Sequence, residues 1–98
     1  MFHLEYSQQS REDMQNLSDT IAYTYGVPMT AKRYMQGLKN KIQSLAKNPE
    51  AYPVRFNLSL LQYGVNVRRV NYKKMAVIYT INGNVVNIHR VMASSLIT

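Results

Sequence analysis

The sequence predicts an α+β domain: an N-terminal strand, an antiparallel helix hairpin, then a three-stranded antiparallel meander packed against the helices. Three observations predict it. Residues 2–6 alternate, with Phe2, Leu4 and Tyr6 on one side and His3 and Glu5 on the other. Two following stretches repeat apolar residues every three or four positions. Finally, Asn82-Gly83 divides two apolar runs, and Asn-Gly in that setting is the strongest short hairpin signal.

Each element has a local reason. The alternation over 2–6 suits a half-buried strand. Ser7 or Ser10 can cap the first helix, and Ser10 followed by Asp13 makes a weak capping box. Met14, Leu17, Ile21 and Tyr25 then fall on one helical face. Gly26 closes that helix and Pro28 opens the next. The second helix has the cleaner stripe: Ala31, Tyr34 or Met35, Leu38, Ile42 and Leu45. Lys32, Arg33, Lys39, Lys41 and Lys47 fill much of the remaining surface, and Asn48-Pro49 stops the helix. The connection is short, so the helices form an antiparallel hairpin. Residues 48–63 read as a packed loop with a short turn. Three strand-like runs follow, at about 64–72, 74–81 and 85–92.

If Asn82 and Gly83 are the loop residues, Tyr79 faces Val86 and Val77 faces Ile88. Met75, Val77, Tyr79, Val86 and Ile88 then share the core face. Ala76, Ile78, Thr80, Val85, Asn87 and His89 share the other, left exposed or bound to a partner. A one-residue error in the turn is expected to invert these faces. Val65 and Val67 disagree in register with Val70 and Tyr72. A bulge near Arg68-Arg69 would reconcile them and aim both guanidiniums outward. Tyr6, Tyr23, Tyr25 and Tyr34 read as core; Tyr52, Tyr63 and Tyr72 read as seals at loop–strand junctions.

Composition narrows the function. The 98 residues hold 12 Lys+Arg against 5 Asp+Glu, for a formal charge of +7. Every acid (Glu5, Glu12, Asp13, Asp19, Glu50) precedes residue 51, so the second half has six bases and no carboxylate. Paired-carboxylate or two-metal chemistry cannot be built from that half alone. The absence of cysteine excludes disulfides, thiolate zinc sites and thiol nucleophiles, and suits a cytoplasmic protein. Two histidines make a metal site improbable. No apolar stretch approaches a membrane span, and no signal peptide is visible. The length allows one domain, over residues 1–98.

The basic balance favours an anionic partner. Arg68, Arg69, Lys73, Lys74 and Arg90, with Arg55 as a further member, are the candidate target- or phosphate-binding set. They have no local acids to pair with, and Arg suits bidentate contact with phosphate or carboxylate. His89 beside Arg90 is the best catalytic candidate. Metal-free RNA cleavage needs a base, an acid and cations for the phosphorane charge. His89 would supply the base or acid, Arg68, Arg69 or Lys74 the charge, and Tyr63, Tyr72 or Tyr79 a proton. Against this stands the ordinary use of a strand histidine as a structural residue.

Four stretches resemble a known family. They are Leu4-Glu5-Tyr6-Ser7; Tyr25-Gly26; Leu45-Ala46-Lys47-Asn48-Pro49; and the series Val67-Arg68-Arg69-Val70, Val77-Ile78-Tyr79, Val86-Asn87-Ile88-His89-Arg90-Val91. In order and spacing the chain resembles the RelE/ParE superfamily, the toxins of bacterial type II toxin–antitoxin modules, often labelled plasmid stabilisation proteins. The resemblance implies a cognate antitoxin and no cofactor. It also implies one of two targets: DNA gyrase for ParE-like members, the ribosome and its mRNA for RelE-like endonucleases. The family's functional Arg corresponds to Arg68 or Arg69, and His89 and Arg90 fall where nucleolytic members carry active-site groups. The ending Met92-Ala93-Ser94-Ser95-Leu96-Ile97-Thr98 lacks the basic or aromatic tail of many relatives. That departure favours a ParE-like binder over the nuclease, with a non-toxic interaction partner as a third reading. No membrane and no small-molecule substrate are expected.

Overall fold

The computed structural model describes every residue except Val27, with Tyr25 described by its backbone alone, so the expectation for the Tyr25 side chain lies outside the described residues. The chain runs β1 (His3–Tyr6), α1 (Gln8–Tyr25), α2 (Pro28–Gln43), then 3₁₀ turns at Ser44–Ala46, Pro49–Ala51 and Leu58–Tyr63. It continues through β2 (Arg68–Tyr72), β3 (Met75–Asn82) and β4 (Val85–Ala93) to a last 3₁₀ turn at Ser94–Leu96. The sheet order is β1-β4-β3-β2, with β1 parallel to β4 and the other pairs antiparallel.

Ser7 is the helix cap. Its Oγ accepts from the Ser10 N–H at 2.9 Å, while the Ser10 hydroxyl donates back to the Ser7 carbonyl at 2.8 Å. This satisfies one of the amides that a helix start leaves without a partner. Gly26 ends α1 at φ +62°, a left-handed conformation that costs glycine little. Leu45 stays buried although α2 ends at Gln43, because a 3₁₀ turn continues the apolar stripe.

The helix-side core joins Met35, Leu38, Ile42 and Leu45 to Val70, Val77, Tyr79, Val86, Ile88 and Val91 of the sheet. Tyr79, wholly buried, donates its hydroxyl to the Pro49 carbonyl at 2.5 Å and ties the loop after α2 to the sheet. Burying a phenol without an acceptor would be unfavourable, so this bond fixes where that loop must lie. Tyr23, expected in the core, is instead exposed: it falls outside the stripe of Leu17 and Ile21.

The β3–β4 turn differs from the expected one. Asn82 pairs with Val85, so Gly83 and Asn84 are the loop residues, with φ positive at Gly83 alone. That is the dihedral signature of a type II′ turn, which wants glycine first. Tyr79 therefore faces Ile88, not Val86. The core face survives intact: sliding a two-residue loop by one position moves each partner by two, which preserves the alternation. A one-residue displacement of the turn therefore does not invert the faces.

Three further expectations are corrected. The bulge is in β4, not near Arg68-Arg69: β2 pairs regularly with β3, whereas the β3–β4 register shifts between Ile78 and Tyr79, leaving His89 unopposed. Ile88 and Val91, an odd number of residues apart, both enter the helix-side core, and only an extra residue between them allows that. β2 begins at Arg68 because Asn66, at φ +55°, breaks the extended path. The sheet face away from the helices is partly covered: Leu60, Val67, Ala76 and Ile78 form a second core, flanked by Tyr63, Met92 and Ile97.

Candidate functional site

β1 covers β4 only as far as Ile88. Beyond that point the start of α1 takes over the edge. The Ser7 N–H donates to the Ile88 carbonyl at 3.0 Å and the Ser7 hydroxyl to the His89 carbonyl at 2.8 Å. Six residues further along, the Asp13 carboxylate accepts from the Val91 N–H at 2.9 Å. Side chains of α1 thus satisfy backbone groups that a longer β1 would have paired, and the bulge at His89 fits between them.

Arg90 closes the same clip. Its Nε lies 2.7 Å from Asp13 Oδ2 and its Nη2 3.2 Å from Asp13 Oδ1, a bidentate pair. The Asp13 side chain is only 9% exposed. Burial works to raise its pKa, but the hydrogen bonds from Arg90, Val91 and Gln9, with the charge of Arg90, outweigh it and hold the carboxyl below its ordinary value. The Asp13 hydrogen bond in turn pushes the Arg90 guanidinium well above its ordinary value. Arg90, expected to face no internal acid, is therefore neutralised by one 77 residues away. Sequence reading missed the pair because Asp13 presents itself only as part of a helix capping pattern.

His89 lies on the face away from the helices, with Nε2 2.8 Å from Thr80 Oγ1 and its ring stacked on Tyr63 at 5.6 Å between centroids. The Tyr63 hydroxyl is 3.4 Å from Arg90 Nη1. Burial pushes the His89 pKa down, so the imidazole is neutral at pH 7. The structure thus brings His89, Arg90, Tyr63, Thr80 and Asp13 together.

The other predicted site residues are spread out. Arg68 and Arg69 point to opposite faces of β2, opposite Tyr79 and Ile78 respectively. Arg68 Nη1 donates to the carbonyls of Tyr52 at 2.6 Å and Glu50 at 3.3 Å, which makes it a tether for the loop after α2. Arg69 donates to Asn71 Oδ1 at 3.1 Å, and burial and then the charge of Arg55 push its pKa down. Lys73 and Lys74 form the β2–β3 turn. Lys73, at φ +53°, has its ammonium 5.3 Å from the Tyr34 ring centroid and 5.5 Å from that of Tyr72. Lys73 also reaches a groove of about 340 Å³ between the helices, lined by Leu17, Ile21, Thr30 and Tyr34.

Chemically, the His89 cluster holds a neutral imidazole beside a guanidinium whose charge is already matched. A phosphorane needs uncompensated cations near the acid–base group. Arg68 and Lys73 are engaged elsewhere on the fold, Arg69 bonds Asn71 on β2, and Lys74 sits in the β2–β3 turn. No His, Cys, Asp and Glu trio that could hold a metal is found among the described residues, and no helix of theirs is long and apolar enough to cross a membrane.

Comparison with known proteins gives a consistent assignment. Residues 4–95 match the family described as the ParE toxin of type II toxin–antitoxin system, parDE. No curated protein sequence matches the chain. Among solved structures, the chain is similar to one from the chromosomal ParDE toxin–antitoxin system of P. aeruginosa. The TM-score is 0.78 at 16% identity, over 95% of this chain and 96% of that one. It is also similar to YafQ from E. coli strain BL21(DE3), with a TM-score of 0.56 at 15% identity, over 97% and 96% of the two chains. A point mutant of YafQ gives 0.55 at 16% identity, with the same coverage. At these identities the structural likenesses speak to the fold, and the family match over nearly the whole sequence decides the rest: the chain belongs to the ParE toxin family of type II toxin–antitoxin systems.

Proposed function

We propose that this toxin acts in the cytoplasm by binding and inhibiting DNA gyrase, and that a cognate antitoxin silences it. The observation that carries this reading is the state of the His89 cluster. A ribonuclease centre would need His89 beside free cations, yet Arg90 is neutralised by Asp13 and Arg68 holds backbone carbonyls. His89 itself is occupied by Thr80 and Tyr63. These contacts suit a strut, and they leave binding rather than bond cleavage as the way to act. Family membership, and the toxin–antitoxin system to which the P. aeruginosa neighbour belongs, support the antitoxin.

The test is brief induction without the neighbouring reading frame. Growth arrest, a DNA-damage response and inhibition of purified gyrase are the expected outcomes, with rescue on co-expression of that frame. His89→Ala should remain toxic. Codon-phased mRNA cuts that vanish in His89→Ala would replace this reading with the RelE-like one. Normal growth on verified soluble expression would remove both.

A further inference from the structure

The segment between α2 and β2 carries apolar side chains that the fold leaves in solvent. Phe56 and Leu58 are each 82% exposed, Val65 83% and Leu61 55%. Leu58 and Leu61 are three apart in the 3₁₀ turn Leu58–Tyr63, where side chains three apart eclipse. Leu60, between them, points inward and is buried in the second core. Phe56, Leu61 and Val65 line one depression of about 230 Å³ together with Arg55. Gly64 at φ +122° and Asn66 at φ +55° bracket Val65. Singly exposed apolar residues are ordinary, whereas a contiguous group of this kind marks an interaction site.

The charge beside this group is of one sign. Arg55 lies close enough to Arg69 to disfavour its protonation. Among the described residues neither forms an ion pair, and no carboxylate follows Glu50 in the sequence. An acidic partner would therefore meet no competing internal ion pair at these two arginines. Exposed aromatic and arginine side chains together are also the usual composition of a binding hot spot.

We propose that Phe56, Leu58, Leu61 and Val65, rimmed by Arg55 and Arg69, form the surface by which this toxin grips its protein target, and that the occupant is a segment carrying carboxylates beside apolar side chains. This rests on the reading above that the target is a protein, DNA gyrase. Basic charge alone would fit a nucleic acid equally well. A phosphate backbone, however, offers nothing to cover an exposed phenyl ring and two leucines, and nucleic-acid affinity comes chiefly from charge. The groove between α1 and α2 lies on the opposite side of the sheet, so the two surfaces can be tested separately.

Two variants test the proposal: Phe56→Ser with Leu61→Ser, and Arg55→Glu with Arg69→Glu. Each is assayed for inhibition of gyrase supercoiling, growth arrest, oligomeric state, thermal midpoint and affinity for the product of the neighbouring reading frame. The expected result is a loss of gyrase inhibition of about tenfold or more, with antitoxin affinity and midpoint unchanged. Undiminished inhibition in both variants would overturn the proposal. Weakened antitoxin binding would give the surface to the antitoxin instead, and a wild-type dimer that becomes monomeric in the variants would give it to a second copy. If the wild type arrests growth without affecting gyrase, the gyrase reading fails alone: loss of growth arrest in the variants then keeps this surface, and retention removes it. A wild type that does neither overturns both.

Discussion

Replacing Asp13 with Asn keeps the shape of the α1–β4 clip and removes its charge. In the folded protein Asp13 Oδ2 accepts from Arg90 Nε at 2.7 Å and the Val91 N–H at 2.9 Å, and Oδ1 accepts from Arg90 Nη2 at 3.2 Å. An Asn amide would turn an NH₂ group toward one of these donors and leave Arg90 uncompensated. Breaking a fully buried pair costs about 3–5 kcal/mol, and an exposed pair contributes about 0–1 kcal/mol. Here one partner is 9% and the other 29% exposed, so water can take over part of the guanidinium. A loss of about 2–3 kcal/mol is expected, near the value of a hydrogen bond to a charged group. For a chain of this length that lowers the thermal midpoint by about 10–20 °C. The assay is thermal and urea unfolding at pH 7 of Asp13→Asn, Arg90→Met and the double mutant. The double-mutant cycle should return a coupling of about 1 kcal/mol or more. The pH dependence has a definite sign. Because the Asp13 pKa is lowered on folding, its contribution is fully present above the unfolded carboxylate value and is lost as pH falls through the folded one. The gap between wild type and Asp13→Asn should therefore hold from pH 7 to 5 and close below about pH 4. A midpoint shift under about 4 °C at pH 7, or a gap that persists at pH 2, would refute the reasoning.

Tyr79→Phe leaves the buried Pro49 carbonyl without its donor and should cost about 1–2 kcal/mol in urea unfolding. Burial above all, opposed by Arg68 and aided by Tyr52, pushes the Tyr79 pKa up to about 12. The folded protein therefore keeps a proton that the unfolded chain releases. Stability falls as pH rises above 10, and Tyr79→Phe should lack that component. Gly37 lies in α2 against Tyr72, where a Cβ would collide with the phenol oxygen. Gly37→Ala should therefore destabilise by about 1 kcal/mol, overpacking outweighing the helix propensity gained. In a Tyr72→Leu background the same change should become stabilising, which a comparison of thermal midpoints would show. His89 is held neutral by burial, so its folded pKa lies below the unfolded one. Stability should fall as pH drops below about 6.5, and His89→Gln should flatten the profile between pH 6.5 and 5.

Much of the fold was legible because it depends on local pattern. The stripe of Ala31, Leu38, Ile42 and Leu45, the glycine at 26 and the proline at 28 specify the hairpin without reference to the rest of the chain. The core face of the meander was equally legible, since alternation survives a displaced turn. The bulge lies in β4 and not in β2, for a physical reason. Val67 and Val70 disagree in register because they enter opposite cores, Val67 the one away from the helices and Val70 the helix-side one, so β2 needs no bulge. The true bulge shows in β4 only as the odd spacing of Ile88 and Val91, and it fits between the contacts made by Ser7 and Asp13. Tyr23 has the aromatic character of a core residue but a helical position that faces solvent.

The candidate site was legible as composition and not as geometry. The sequence by itself determined an excess of base, a carboxylate-free second half and a histidine beside an arginine near the end of the chain. Those are properties of counting and adjacency. Only the tertiary structure decided that Arg90 meets Asp13, that Arg68 and Arg69 face opposite ways, and that Phe56, Leu61 and Val65 gather beside Arg55. The reason is that charge is additive along a chain, whereas pairing depends on distances of a few ångströms between residues 77 apart in sequence. Part of the missing negative charge of the second half is thus supplied from within, by a helix folded onto β4 beyond the end of β1, and the proposed surface is where a partner would supply more.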